Sequence, residues 1–114
     1  MADVDQVLAS LDDLLEQADA LDDTTRQRIP DRTVSLWIRD LDLAYAGRLE
    51  SGSLLDVVAI SPDDRRNSQL RVTMDSDDFV EVVAGRLSFG SGFATGKIRV
   101  DARIRDVFEL RRFL

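Results

Sequence analysis

The chain contains neither cysteine nor histidine. Without these side chains it can form no disulfide, no thiolate or imidazole zinc site, and no Ser–His or Cys–His nucleophile pair. Adjacent acidic residues such as Asp63 and Asp64 do not replace them, because neighbouring side chains on a helix or strand point apart. The sequence therefore offers no catalytic residue and no metal ligand set, and we expect neither enzyme activity nor a cofactor.

Long hydrophobic runs are also missing. No stretch approaches the roughly 18 consecutive apolar residues that a membrane-spanning helix needs. The amino end carries Asp3 and Asp5, whereas a secretory signal begins with basic residues followed by an apolar segment. We therefore expect a cytoplasmic protein without stable membrane insertion.

Basic residues are outnumbered by acidic ones. The 22 aspartates and glutamates against 15 lysines and arginines give a net charge of -7. An acidic chain is repelled by phosphate backbones, so we do not expect nucleic acid or an anionic membrane as the main partner.

The length and composition indicate one folded domain. The 114 residues are 44% hydrophobic and 32% charged, which is typical of a globular chain with a single core. We expect this domain to span residues 1–114.

The amino end of the sequence repeats apolar residues with helical spacing. One heptad position holds Val4, Leu11 and Ala18, and a second holds Val7, Leu14 and Leu21. This pattern predicts an amphipathic helix over residues 3–21. We expect its apolar stripe to pack on the sheet of the same protein.

From residue 33 the apolar residues alternate with a period of two. This alternation predicts three strands, over residues 34–38, 43–49 and 54–60. The turn residues 51–53 separate the last two. Short connections of this kind join antiparallel neighbours, so the three strands should form a meander.

Residues 69–74 predict a fourth strand, and Ser76 is placed to cap a short helix that ends before Gly85. An irregular glycine-rich stretch follows, then a fifth strand over residues 97–101 and a last helix. The predicted order is α-β-β-β-β-α-β-α, an α+β fold with five strands.

The string GSGFATGK at residues 90–97 superficially suggests a phosphate-binding loop. Its spacing is one residue short between Gly92 and Gly96, and Lys97 is followed by Ile98 where a P-loop has serine or threonine. We therefore do not expect nucleotide binding. The large apolar side chains around this string either belong to the core or line a cavity for an apolar ligand.

Residues 74–114 resemble the sterol carrier protein type 2 family of lipid-binding domains. Residues 76–79 resemble the helix opening of that family, residues 85–87 its Gly-Lys-Leu, and Phe93 with residues 96–97 its phenylalanine followed by Gly-Lys. The resemblance implies an α/β sandwich whose five-stranded, mostly antiparallel sheet is covered by helices. It further implies an apolar tunnel between sheet and helices that takes fatty acids, acyl-CoA, sterols or other lipids.

The resemblance also implies which residues line the tunnel. These are Phe79, Val83, Leu87, Phe89, Phe93, Ile104, Val107 and Phe108. The expected function is then non-enzymatic binding or transfer of an apolar small molecule or lipid. A second hypothesis is a sterol-carrier fold without a ligand, acting as a dimerisation or scaffolding module for a second copy or a partner enzyme through the first helix or a sheet edge.

Overall fold

The computed structural model describes residues 2–102. The helices and strands in chain order are α1 (Val4–Asp19), α2 (Asp23–Arg28), β1 (Arg32–Ile38), β2 (Leu43–Glu50), β3 (Ser53–Ile60), β4 (Leu70–Met74), α3 (Ser76–Val83), α4 (Phe89–Ala94) and β5 (Ile98–Ala102). Two short 3₁₀ helices, Arg39–Leu41 and Pro62–Asn67, follow β1 and β3. The last helix expected from the sequence lies outside the described residues.

The five strands form one open sheet in the order β3-β2-β1-β4-β5. The pairs β1–β2, β2–β3 and β4–β5 are antiparallel, and β1–β4 is parallel. The predicted meander of three strands and the mostly antiparallel five-stranded sheet are thus confirmed. The single parallel pair arises because the chain crosses from the edge strand β3 to the far side of β1 before β4 begins.

Helix α1 begins at a complete capping box. The Asp3 carboxylate accepts a hydrogen bond from the Gln6 backbone N–H at 2.8 Å, and the Asp3 N–H donates to the Gln6 side-chain oxygen at 2.9 Å. Val7 on the inner stripe is fully buried. The predicted first helix is therefore confirmed, and it ends at Asp19, two residues before the predicted limit.

The start of α3 differs from the expectation. Ser76 is the first residue of the helix and not its cap, and Asp75 occupies the cap position without a side-chain hydrogen bond. The Ser76 N–H instead donates to Asp40, in the 3₁₀ helix after β1. A carboxylate that is distant in sequence thus takes the capping role.

The glycine-rich stretch forms helix α4 and is not irregular. The Ser88 hydroxyl caps the helix by accepting a hydrogen bond from the Ser91 N–H at 3.1 Å. Gly92 is buried against β5, where a Cβ atom would lie 2.4 Å from Cδ1 of Ile98. Glycine is needed there because it lets the helix approach the strand closely.

The helices α1 and α3 cover one face of the sheet, which we call the inner face. Alternate strand residues such as Leu36 and Ile38 point to this face and pack with Val7 of α1 and Phe79 of α3. None of the described helices has the length and apolar character needed to cross a membrane.

The opposite face of the sheet carries the second 3₁₀ helix. The Ser35 hydroxyl donates to the Arg65 carbonyl oxygen at 3.3 Å, and the Arg65 guanidinium lies 4.0 Å from the centre of the Trp37 ring. Both contacts hold this 3₁₀ helix on the opposite face, which we call the outer face. Helices α1 and α3 pack on the inner face.

Candidate functional site

An apolar cavity of about 200 Å³ lies between the inner face of the sheet and the helices above it. It is partly open to solvent. Its lining residues are Leu11 and Leu14 of α1, Val34, Ser35 and Leu36 of β1, Tyr45, Ala46 and Gly47 of β2, Leu54 and Val57 of β3, Val72 and Met74 of β4, Phe79, Val82 and Val83 of α3, and Phe89 of α4.

Gly47 lets β3 pack closely against β2 at the wall of this cavity. It stands on β2 opposite Val34 of β1, at a position where the alternation of the strand would place a side chain on the inner face. A Cβ atom at Gly47 would lie 3.1 Å from both the Leu55 carbonyl oxygen and Cγ2 of Val57. Atoms of β3 therefore occupy the space that a side chain at this position would need.

The cavity has a closed inner end and a more exposed outer end. At the inner end Phe79 is 2% exposed, Met74 5%, Val83 6% and Tyr45 9%. Other lining residues, such as Leu14 of α1, Val34 of β1 and Val82 of α3, are only half-buried. The cavity is therefore closed at the end formed by Phe79, Met74 and Val83.

The chemistry of the lining is almost purely apolar. Among residues 2–102, no charged side chain contributes to it. The Ser35 hydroxyl points to the outer face, where it donates to the Arg65 carbonyl oxygen, and Tyr45 contributes a phenol ring. Within residues 2–102, no three acidic side chains are placed to hold a metal ion together. This arrangement can remove a hydrocarbon group from water.

A hydrogen bond fixes the two covering helices to one another. The Gln17 side-chain amide of α1 donates to the Val83 carbonyl oxygen at the end of α3, with a distance of 2.9 Å. Since Val83 also lines the cavity, this bond holds both helices in place over the site.

The residues predicted to line a tunnel fall into three groups. Phe79, Val83 and Phe89 line the cavity. Leu87 and Phe93 do not, because Leu87 lies in the loop between α3 and α4 and Phe93 lies one turn beyond Phe89 and is 41% exposed. The other three, Ile104, Val107 and Phe108, lie outside the described residues.

Most of the remaining lining comes from the first 72 residues and was not predicted to contact a ligand. Leu11 and Leu14 belong to the apolar stripe of α1, and Leu36 and Val57 to the alternating pattern of the strands. The periodicity of the apolar residues therefore identifies the inner face. It does not indicate where a space is left between the side chains of that face.

Comparison with known proteins identifies the fold. No protein-family model and no curated protein sequence matches the chain. Among solved structures, sterol carrier protein 2 like 2 from Aedes aegypti matches with a TM-score of 0.65 at 13% identity, over 96% of each chain. Sterol carrier protein 2 from the same organism, in complex with the C16 fatty acid palmitate, matches with a TM-score of 0.64 at 16% identity, over 99% of this chain and 96% of that one.

A larger protein also contains a similar region. The inverting sec-alkylsulfatase Pisa1 from Pseudomonas sp. matches with a TM-score of 0.57 at 19% identity over 81% of this chain. The match covers only 14% of the alkylsulfatase chain.

These matches define a class of α+β structures with an open five-stranded sheet and helices on one face. The chain has the fold of sterol carrier protein 2, as the sequence resemblance implied. At identities below 20% the likeness establishes the fold alone.

Proposed function

We propose that this protein binds the hydrocarbon part of a fatty acid or another lipid in the cavity between sheet and helices, and carries or transfers it without a chemical step. The observation that supports this most directly is an apolar cavity of about 200 Å³ to which the described part of the chain contributes no charged side chain. A structure of the same fold, the palmitate complex from Aedes aegypti, gives the ligand class further support.

The driving force is removal of hydrocarbon from water. Each buried methylene contributes about 0.8 kcal/mol, so several methylenes are enough for binding without a strong polar contact. In this proposal Phe79, Val83 and Phe89 contact the ligand together with Leu11 and Leu14. Release then requires only that the ligand slide out through the open end, because no bond is made or broken.

Exposed apolar residues on an edge strand favour a second candidate function, dimerisation or scaffolding. On β3, at the edge of the sheet, Val58 is 57% exposed and Leu55 is 39% exposed. An edge strand with exposed apolar side chains can pair with a strand of another chain. Asp56, between these two residues, has a positive φ of 55° and lies where the pairing of β3 with β2 shifts register. Such a bulge disturbs the strand edge and counts against pairing with another chain.

Two measurements on the purified protein test the proposal. Native mass spectrometry, combined with organic extraction, shows whether a lipid is carried, and calorimetric titration with palmitate measures uptake. We expect bound lipid or uptake at one molecule per chain. A folded protein that carries no lipid and takes up no palmitate would overturn the proposal, and a mass that rises with concentration would then favour the second candidate.

A matched pair of variants on α1 locates the site. Leu11 lines the cavity, whereas Leu8 on the same helix is 43% exposed and does not. Leu11→Gln should weaken palmitate binding at least tenfold, and Leu8→Gln should leave it within about twofold. Circular dichroism of both variants checks that they fold. Equal binding by the two folded variants would show that the ligand lies elsewhere.

A further inference from the structure

The size of the cavity limits how much of a ligand it can hold. The cavity measures about 200 Å³, and a dry protein cavity of about 150 Å³ is known to take one benzene molecule. By that proportion this cavity holds roughly eight carbon atoms. A long lipid chain or a fused-ring sterol is larger than this, so only part of such a molecule would be enclosed.

The inner end of the cavity stops the chain from passing further. Behind Phe79 and Met74 lie Val7 and Ile38, both with no exposed surface. Protein interiors are packed as densely as organic crystals, so a ligand cannot displace these side chains without a large loss of stability. The tip of a hydrocarbon chain would therefore rest against Met74, Phe79 and Val83.

No basic side chain of residues 2–102 lines the cavity. Burying a carboxylate or phosphate without a cation or several hydrogen bonds is strongly unfavourable. A charged head group would therefore stay in water at the open end. The binding affinity would then depend on the tail of the ligand and not on its head group.

From these three observations we propose that the cavity encloses only the terminal segment of one unbranched alkyl chain. This segment is about eight carbons long, and the head group stays outside. The inference rests on the proposed function and specifies its ligand class. It predicts selection by tail length up to a limit and indifference to the head group. It also predicts that a rigid ring system binds more weakly than a flexible chain of equal carbon number.

Two series of ligands test the inference. Affinities of n-alkyl carboxylates and of primary n-alkyl alcohols, from about four to about sixteen carbons, are measured by calorimetry below their aggregation concentrations. We expect about a fourfold gain per methylene up to roughly eight carbons, and then a plateau at the same length in both series. Affinity that keeps rising to the longest chains would overturn the inference and leave the proposed function standing.

The remaining outcomes are also distinguishable. A plateau at different lengths for acids and alcohols would show that the head group is bound inside, which contradicts the inference. Failure of every chain length to bind would contradict the proposed function itself.

A pair of variants on α3 tests the position of the inner end. Val83 lines the cavity, whereas Val80 on the same helix does not. Val83→Ala should enlarge the inner end and move the plateau to longer chains by about one carbon, and Val80→Ala should leave the plateau in place. Thermal unfolding confirms that each variant folds. A plateau unchanged in folded Val83→Ala would show that the chain does not reach this end, and the inference would be wrong.

Discussion

Asp40 caps helix α3 from a position 36 residues earlier in the chain than Ser76. Its Oδ1 accepts a hydrogen bond from the Ser76 backbone N–H at 2.8 Å, and its Oδ2 accepts one from the Ser76 hydroxyl at 2.6 Å. Ser76 is fully buried, and its hydroxyl oxygen also lies 3.3 Å from the Ala2 carbonyl oxygen. One carboxylate therefore joins the turn after β1 to the start of the helix that covers the cavity.

Replacing Asp40 should destabilise the protein. We expect Asp40→Ala to lower the free energy of unfolding by about 1–2 kcal/mol, because the Ser76 N–H loses its partner and the helix loses its cap. Urea unfolding followed by circular dichroism measures this loss. Asp13→Ala, at an exposed position on α1, is the control and should change the stability little. Equal stability of the two variants would show that the cap contributes nothing measurable.

The contribution of Asp40 should depend on pH. Burial acts to raise the pKa of the Asp40 carboxyl, but the hydrogen bonds from the Ser76 hydroxyl and backbone outweigh it and hold the pKa below its ordinary value. A lowered pKa in the folded state means that the stabilisation is complete above the unfolded pKa, near about 4, and is lost as the pH falls through the folded pKa. The stability difference between the wild type and Asp40→Ala should therefore narrow at acid pH. A difference that stays constant from neutral pH to about pH 2.5 would contradict this assignment.

The bond between Gln17 and Val83 offers a second test. Gln17→Ala should lower the stability by about 1 kcal/mol, since the Val83 carbonyl oxygen loses its donor. Gln17→Glu should cost more at neutral pH, because a carboxylate cannot donate and lies near the negative end of the α3 dipole. At acid pH the protonated glutamate can donate a hydrogen bond again. The free energy of unfolding of Gln17→Glu should then no longer be lower than that of Gln17→Ala. Unfolding curves at both pH values measure this, and Glu16→Ala at the exposed neighbouring position serves as control.

The close approach of α4 to β5 gives a third prediction. Gly92→Ala would place its Cβ 2.4 Å from Cδ1 and 2.8 Å from Cγ1 of Ile98, a side chain that is 1% exposed. We expect a loss of about 1–3 kcal/mol in the free energy of unfolding. Ser91→Ala on the exposed side of the same helix should be neutral or slightly stabilising.

A double-mutant cycle separates this clash from a general effect on the helix. Ile98→Val removes Cδ1, so the double variant should be more stable than the sum of the two single changes indicates. Simple additivity would show that the two side chains do not compete for the same space.

The periodicity of apolar residues accounts for most of the fold that could be predicted. Val7 and Leu14 mark the buried stripe of α1, and the alternation around Leu36 marks the inner face of β1. These signals are local and strong, because one face of each element is buried and the other is solvated. The pattern also gave the α+β class, and the resemblance to sterol carrier protein type 2 implied the particular fold, which the structure matches confirm.

Long-range contacts explain what could not be predicted. Helix α4 carries Gly90 and Gly92, which have low helix propensity, and it forms because Ser88 caps it and Gly92 fits against Ile98. Asp40 caps α3 from another part of the chain, and no local pattern indicates this. The position of the cavity depends likewise on where side chains from four strands and the helices fail to meet.

The two phenylalanines of α4 distinguish the predicted tunnel from the cavity in the structure. The resemblance implied that both Phe89 and Phe93 line a tunnel, whereas the structure places Phe89 in the cavity and leaves Phe93 41% exposed outside it. If the cavity is the ligand site, Phe89→Ser should weaken palmitate binding at least tenfold, since it removes a large apolar contact and opens the site to water. Phe93→Ser should change the affinity less than about threefold, because an exposed ring loses little burial. Calorimetric titration of both folded variants decides between the two arrangements. If Phe93→Ser loses as much palmitate affinity as Phe89→Ser, the ligand lies along α4, as the sequence resemblance implied, and not against the inner face of the sheet.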